Sequence, residues 1–219
     1  LVLNIEAATM VLPLVCAFCY GDTERIKLFA VCALICLLPG ILLTLRKPAK
    51  KTMYAKEGFI IVALSWIIIS IFGAFPFYIS GCIPSFTDAL FESASGFTTT
   101  GASVLSDVEV VPKAILFWRS FTHWIGGMGV LVFLVSILSL ADGGNVHLIK
   151  AESTGPAVSK LVPKVKSSAK ILYLIYFGFT VIETVMLLAG GMSLFEALTM
   201  TFGTVGTGGF GVKNSSMAD

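Results

Sequence analysis

Five long apolar segments restrict this chain to a membrane protein built from helices. They run over residues 1–20, 26–45, 58–80, 113–140 and 171–191. Stretches of roughly 18 or more apolar residues are long enough to cross the hydrocarbon core of a bilayer as helices. The composition agrees, because 56% of the residues are hydrophobic and only 13% are charged, against about 45–50% and about 25% in soluble domains. We therefore expect an all-α polytopic membrane protein.

One polar stretch between two of these segments, Ser85–Ser103, is too short and too polar to cross a bilayer alone. It reads SFTDALFESASGFTTTGAS, a short helical pattern followed by residues that form helices poorly. Non-helical backbone at membrane depth is tolerated where it lines a cavity or is buried in protein. The stretch is therefore predicted to enter the membrane, turn, and offer its backbone oxygens to an ion.

Basic residues predict which loops face the cytoplasm. Ten of the fifteen Lys and Arg residues fall in two loops, 46–56 and 141–170, and short loops rich in Lys and Arg remain cytoplasmic. An even number of full crossings between these loops makes Ser85–Ser103 re-entrant from the outer side. In this topology seven acidic residues fall on the outer side: Asp22, Glu24, Asp88, Glu92, Asp107, Glu109 and Glu196.

The chain also contains an internal repeat. An offset of 108 residues takes Ser85 to Ser193 and lays SFTDALFESASGFTTTGA over SLFEALTMTFGTVGTGGF. Each copy opens with a serine followed three residues later by an acid, Asp88 or Glu196. This pattern indicates a capping box, or its aspartate variant, in which the serine oxygen accepts from the N3 amide and the acid reaches back. Each copy therefore predicts a short helix of about ten residues, or about 15 Å, roughly half a bilayer.

The segments after these short helices, TTTGA and GTGGF, have the character of an ion filter. A helix that ends at the midplane presents its partly negative C-terminus, which favours a cation there. Glycines 101 and 209 permit positive φ and close approach of backbones. Rings of carbonyls that replace the hydration shell are how potassium filters select their ion. Two limbs cannot close a ring, so four are needed, from a longer chain with four repeats or from two chains.

At these residues the chain resembles the Trk/Ktr/HKT superfamily of potassium transporters, most closely its bacterial TrkH-type subunits. The resemblance rests on ESASGFTTTGAS, RSFTHWIGGMGVLVF and FGTVGTGGF and extends over essentially the whole chain. It implies four span–pore–span repeats around a single pore, often preceded by two further helices. The implied domains are a two-helix membrane hairpin at 1–45, a first repeat at 46–158 and a second repeat, lacking its last span, at 159–219. We therefore expect this chain to be part of a longer protein.

The resemblance also implies an ion site and partners. The filter glycines are Gly101 and Gly209, and potassium is met by the backbone carbonyls of six residues: Thr99, Thr100, Gly101, Thr207, Gly208 and Gly209. The implied protein takes up potassium across the bacterial cytoplasmic (inner) membrane as a multi-pass homodimer. A cytosolic nucleotide-binding ring of the TrkA/KtrA type gates it. No cofactor beyond the transported K⁺ and no nucleic acid are implied.

Three alternatives to potassium uptake are considered. The first is a sodium-permeable or sodium-coupled member of the same family. In the sodium-preferring branch a serine replaces the first filter glycine. This chain has Gly101 there, which favours potassium. The second is a membrane enzyme that uses His123 with Glu92 or Ser95. No paired catalytic signature such as G-x-S-x-G or H-E-x-x-H occurs, so the chain is not predicted to be an enzyme. The third, a non-conducting scaffold, does not explain why the limb occurs twice.

Five further features of the apolar segments also lead to predictions. Arg119 is expected to anchor the pore helices rather than to bind an ion, with its charge reaching the outer face. Glu183, in the middle of a span, is expected to form a structural hydrogen bond, with a position near the ion path as the alternative. His123 is expected to be a satisfied packing residue, and Glu6 to be solvated near a membrane face. The glycines at 126–129 predict either a hinge or close helix packing.

Overall fold

The computed structural model describes residues 2–45, 55–130 and 161–215. Within these residues the regular secondary structure is entirely α-helical, which confirms the predicted fold class. Four helical segments are long and apolar enough to cross a membrane: Val2–Cys19, Thr23–Leu45, Gly58–Ile79 and Ala169–Ala189. Most of the two basic loops, the end of the fourth apolar segment and the expected domain boundary at residue 158 lie outside the described residues.

The N-terminal part is a helical hairpin of α1 (Val2–Thr9), α2 (Val11–Cys19) and α3 (Thr23–Leu45). The predicted first span is one arm of this hairpin, and it is interrupted at Met10. Pro13 explains the interruption, because proline has no amide hydrogen to donate to the carbonyl four residues earlier. Both α1 and α2 pack along α3.

The predicted third span consists of two helices, α4 (Ala55–Gly73) and α5 (Phe75–Ile79). The break falls at Ala74, two residues before Pro76. Pro76 lies in the first turn of α5, where a missing amide hydrogen loses no helical bond. The two helices together, Gly58–Ile79, keep the length of a span.

The other described helices are two short ones, α6 (Phe86–Phe97) and α9 (Leu194–Val205), and between them two longer ones, α7 (residues 113–130) and α8 (Leu161–Ala189). α6 and α9 each contain 12 residues, so each is about 18 Å long and covers little more than half of a hydrocarbon core of about 30 Å. The polar residues up to position 170 predicted that the next helix begins at residue 171. α8 begins earlier, at Leu161.

α7 lies between the hairpin and both short helices. Trp118, fully buried, donates from Nε1 to the carbonyl oxygen of Gly73 at 3.0 Å. Its ring makes edge contacts with Phe29 of α3 and Phe97 of α6. Three residues further along α7, Phe121 packs against Phe202 of α9, with ring centroids 5.3 Å apart. These aromatic contacts make α7 the element on which the two short helices are placed.

The structure corrects the expectation that Glu6 is solvated. Glu6 is only 4% exposed, and neither of its carboxyl oxygens has a hydrogen-bond partner among the described residues. The α1–α3 contact that encloses it is close, since a Cβ added to Gly40 would overlap the side-chain amide of Asn4. Burial follows from this helix contact, which the sequence of α1 alone does not reveal.

Candidate functional site

The candidate site begins where α6 and α9 are capped. The Ser85 hydroxyl accepts from the amide of Asp88 at 3.4 Å, and the Ser193 hydroxyl accepts from the amide of Glu196 at 3.3 Å. Glu196 also accepts from the Ser193 amide at 3.2 Å, which completes a capping box. Within residues 55–130 the reciprocal bond of Asp88 is not formed, because the aspartate side chain is one carbon shorter. Both helices begin as predicted, but only α9 has the full box.

Both short helices end in the same backbone motif. After α6, the amide of Thr99 donates to Gly96 O at 3.1 Å and the amide of Thr100 donates to Ser95 O at 2.9 Å. After α9, the corresponding bonds run from Thr207 to Thr204 O and from Gly208 to Gly203 O: both are 2.9 Å. These pairs of bonds define a Schellman motif, in which the residue after the C-cap is left-handed and is usually glycine.

Threonine takes that left-handed position in both limbs. Thr99 has φ 54° and Thr207 has φ 61°, an uncommon conformation for a β-branched residue. Gly101 and Gly209 are also left-handed, at φ 76° and 84°. The limbs that follow α6 and α9, here called limb 1 (residues 98–104) and limb 2 (206–212), thus share one backbone pattern at positions 108 residues apart. Strained backbone of this kind concentrates at functional sites.

The two limbs touch each other at their glycines. A Cβ added to Gly101 would overlap the carbonyl oxygen of Gly208, so a larger residue at position 101 has no room. Gly208 is itself backed by α7, since a Cβ there would overlap the imidazole of His123. The structure therefore brings Gly101 and Gly208 together, with the threonines of both limbs one or two residues away. At Gly209 an added Cβ would meet nothing within 4 Å among the described residues.

A buried ion pair lies behind limb 1. Arg119 of α7 donates from Nε to Glu92 Oε1 at 2.6 Å, and the two side chains are 4% and 0% exposed. Glu92 also accepts from the Ser103 hydroxyl and from the Val104 amide, each at 2.9 Å. The prediction that Arg119 reaches the outer face is therefore wrong, because this partner neutralises its charge inside the protein. Glu92, expected on the outer side, is likewise fully buried.

The same arginine also reaches limb 2. Its Nη1 donates to Gly211 O at 2.9 Å, and its guanidinium lies 3.6 Å from the centroid of the Phe210 ring. His123 contacts the same ring, at 3.9 Å between centroids. His123 is fully buried, and neither of its nitrogens has a partner among the described residues, so the expectation of a satisfied histidine is wrong there.

The predicted alternative of an enzyme site at His123, Glu92 and Ser95 has no support in these contacts. Glu92 is held by Arg119 and limb 1, and the Ser95 hydroxyl donates to Ala102 O at 2.6 Å. His123 hydrogen-bonds to neither of them within the described part of the chain. Their bonds hold the limb in place and bring no nucleophile to a base.

The limbs are also joined at their outer ends. The Asn214 side chain accepts from the backbone amide of Val108 at 3.0 Å and donates to Asp107 at 2.8 Å. The backbone amide of Asn214 donates to the Glu109 side chain at 2.9 Å. The bond from Asn214 is the main reason that the pKa of Asp107 lies below its ordinary value. This outer clip connects the loop after limb 1 to the segment after limb 2, and no local sequence pattern predicts it.

The glycine cluster in α7 makes close contacts. A Cβ on Gly126 would overlap the carbonyl oxygen of Phe97, at the end of α6, and one on Gly127 would lie 2.6 Å from the hydroxyl of Tyr176 in α8. These distances support the packing interpretation of the cluster. Glu183 of α8 is half-buried and lines a cavity of about 370 Å³ beside Val205, at the end of α9.

Comparisons with known proteins match this architecture. A model of the TrkH family, described as cation transport protein, matches residues 25–219. The Trk system potassium uptake protein TrkH of Halomonas elongata is 38% identical over 99% of this chain, and that of Escherichia coli K12 is 37% identical over 96%. The crystal structure of the potassium transporter TrkH from Vibrio parahaemolyticus superposes with a TM-score of 0.81 at 33% identity, over 98% of this chain and 43% of that chain.

This chain covers 45% of the Halomonas relative and 44% of the Escherichia one, so it spans less than half of their length. The relatives are transporters rather than enzymes, in agreement with the absence of a catalytic signature from the sequence. Since the family model matches nearly all of the sequence and the helices superpose on a solved member, the chain belongs to the TrkH family of cation transport proteins.

Proposed function

We propose that this chain supplies two of the four limbs that form the filter of a potassium-uptake pore. The names of its relatives, Trk system potassium uptake proteins, support potassium as the transported ion. The share of those relatives that it covers, 45% in the first, supports two further limbs in the remainder of a longer protein. In this proposal the hairpin at 1–45 is followed by a first repeat at 46–158 and by a second repeat, lacking its last span, at 159–219.

The observation that carries the proposal is the repeated left-handed backbone of the limbs. A helix end followed by a left-handed threonine, a further residue and a left-handed glycine occurs in both limbs. Such a backbone offers carbonyl oxygens where the partly negative ends of α6 and α9 also favour a cation. The proposed potassium ligands are the backbone carbonyls of Thr99, Thr100, Gly101, Thr207, Gly208 and Gly209.

The contact between the limbs supports potassium selectivity in particular. Because Gly101 abuts Gly208 O, a side chain at position 101 displaces one limb from the other. A serine there, as in the sodium-preferring branch of the superfamily, therefore changes the spacing of the carbonyls. The glycine at this position favours potassium over the sodium-permeable alternative.

The assembly belongs to the same proposal. We infer a homodimer in the bacterial inner membrane, associated with a cytosolic nucleotide-binding ring of the TrkA/KtrA type. The four apolar helical segments support the membrane location, and the relatives' designation as part of a Trk system supports a multicomponent assembly.

Ion flux through the full-length protein tests the function. Purified protein in proteoliposomes is expected to take up K⁺ and Rb⁺ in preference to Na⁺, and Gly101→Ser is expected to lower that preference. Reversal potentials in mixed K⁺ and Na⁺ separate the potassium pore from a sodium-permeable one. Unchanged selectivity in Gly101→Ser would falsify the role given to Gly101, and turnover of a substrate without ion flux would contradict the function as a whole.

A further inference from the structure

We propose that the Glu92–Arg119 ion pair positions both limbs at equivalent places and thereby sets the ion selectivity of the pore. This inference rests on the proposed function. The pair reaches limb 1 at Ser103 and limb 2 at Gly211. These two residues are 108 positions apart and each follows a left-handed glycine by two residues. A single buried contact thus holds the same point of two successive limbs.

Glu92 holds limb 1. Its carboxylate accepts three hydrogen bonds, from the Ser103 hydroxyl, the Val104 amide and Arg119 Nε. A fully buried carboxylate is tolerated when it is paired and hydrogen-bonded in this way. Since two of the three donors belong to the limb, any movement of limb 1 away from α6 would leave a buried charge without its donors. The position of limb 1 is therefore coupled to that of the carboxylate.

Arg119 holds limb 2. One edge of its guanidinium donates to Glu92, while Nη1 donates to Gly211 O and the planar group stacks on Phe210. Three contacts in three directions require the planar, forked guanidinium, and a lysine ammonium cannot reproduce the stack and both bonds at once. The guanidinium is thus the geometric link between a carboxylate on α6 and a carbonyl beyond α9.

The ion pair is not needed to build a short helix of this type. At the position of Glu92 in the second copy stands Met200, which is also buried. α9 therefore packs with an apolar side chain where α6 has a carboxylate. Buried ion pairs commonly contribute no more stability than apolar replacements of similar size. The ion pair at α6 differs from an apolar contact in the direction of its hydrogen bonds, which end on limbs 1 and 2.

The test compares the K⁺/Na⁺ permeability ratio of full-length variants in proteoliposomes, with the yield of monodisperse protein as the folding control. Arg119→Lys keeps the positive charge but loses the planar, forked guanidinium. The double variant Glu92→Met/Arg119→Met removes both charges, so no buried charge is left unpaired. Both are expected to fold and to lower the ratio at least about tenfold, because a charged hydrogen bond to a limb is lost. Arg25→Met, which removes the ion pairs of Arg25 with Asp22 and Glu24 on the hairpin, is expected to keep the wild-type ratio.

A milder variant keeps the test informative where the charge variants fold poorly. Ser103→Ala removes one bond to Glu92 without unpairing a charge, and is expected to lower the ratio roughly threefold. Wild-type ratios in Arg119→Lys, the double variant and Ser103→Ala would overturn the proposal and leave the pair a packing element of the helices. Absence of K⁺ flux from the wild-type protein is a different result, since it overturns the proposed function itself.

Discussion

Replacement of Gly101 by alanine tests the close approach of the two limbs. Gly101 has φ 76°, and an L-residue in the left-handed conformation costs about 1–2 kcal/mol. The added Cβ would also overlap Gly208 O, a backbone atom that cannot rotate away as a side chain does. Insertion of a methyl group into a packed site adds about 1–3 kcal/mol. Gly101→Ala is therefore expected to destabilise the protein by about 2–5 kcal/mol in total.

Gly81 provides a matched control. Its φ is 75°, nearly that of Gly101, but a Cβ there would have no heavy atom within 4 Å. Gly81→Ala therefore has the conformational cost alone, about 1–2 kcal/mol. The difference between the two variants isolates the overlap with Gly208, and only Gly101→Ala is expected to alter ion selectivity.

The assay is denaturant unfolding of the full-length protein in mild detergent, followed by measurement of K⁺ and Na⁺ uptake in proteoliposomes. Equal destabilisation of both variants, together with wild-type selectivity in Gly101→Ala, would show that the limbs do not touch at Gly208. A loss of stability in Gly101→Ala without a loss of selectivity would keep the contact but separate it from the ion path.

Three further predictions concern the supports of the limbs. Ser193→Ala removes the capping box of α9 and is expected to destabilise the protein by about 1 kcal/mol, measured by the same unfolding assay. Gly208→Ala is expected to destabilise because its Cβ overlaps His123, and His123→Ala in the same chain is expected to recover part of the loss; no recovery would contradict the contact. Asn214→Ala is expected to destabilise at neutral pH, where Asp107 is ionised. Because the folded pKa of Asp107 is lowered, its share of the stabilisation is full above its unfolded pKa of about 3.9 and is lost as the pH falls further. The difference between variant and wild type should therefore narrow in acid to the share of the bond from the Val108 amide, which does not titrate.

Features that depend on local sequence were predictable. The apolar segments located the spans, and Ser85 and Ser193 located the starts of the short helices, because caps and apolar runs act within a few residues. The glycines at 101 and 209 predicted positive φ for the same reason. Thr99 was not predicted to be left-handed, since threonine disfavours that region; the Schellman bonds at the helix end impose it.

Features that depend on distant partners were not predictable from one sequence. Arg119 was expected to reach the outer face, but its partner Glu92 lies 27 residues away and becomes visible only when α6 packs on α7. Burial of Glu6 likewise results from the contact of α1 with α3. One sequence signal was available for the ion pair, because the offset that aligns the repeats places an acid at position 92 against Met200. Such a mismatch in an otherwise similar helix marks a side chain with a different task.

The supports of limb 2 show that a repeat in the sequence is not an independent unit in space. Limb 2 follows α9, yet Arg119 and His123, which contact its Phe210, belong to α7, part of the proposed first repeat. The outer clip at Asn214 connects the same two parts of the chain. A cut at the predicted boundary after residue 158 would therefore separate limb 2 from the guanidinium and imidazole that hold it. In this arrangement each limb takes its backbone pattern from its own helix end, whereas limb 2 takes its position from the helix of the repeat before it.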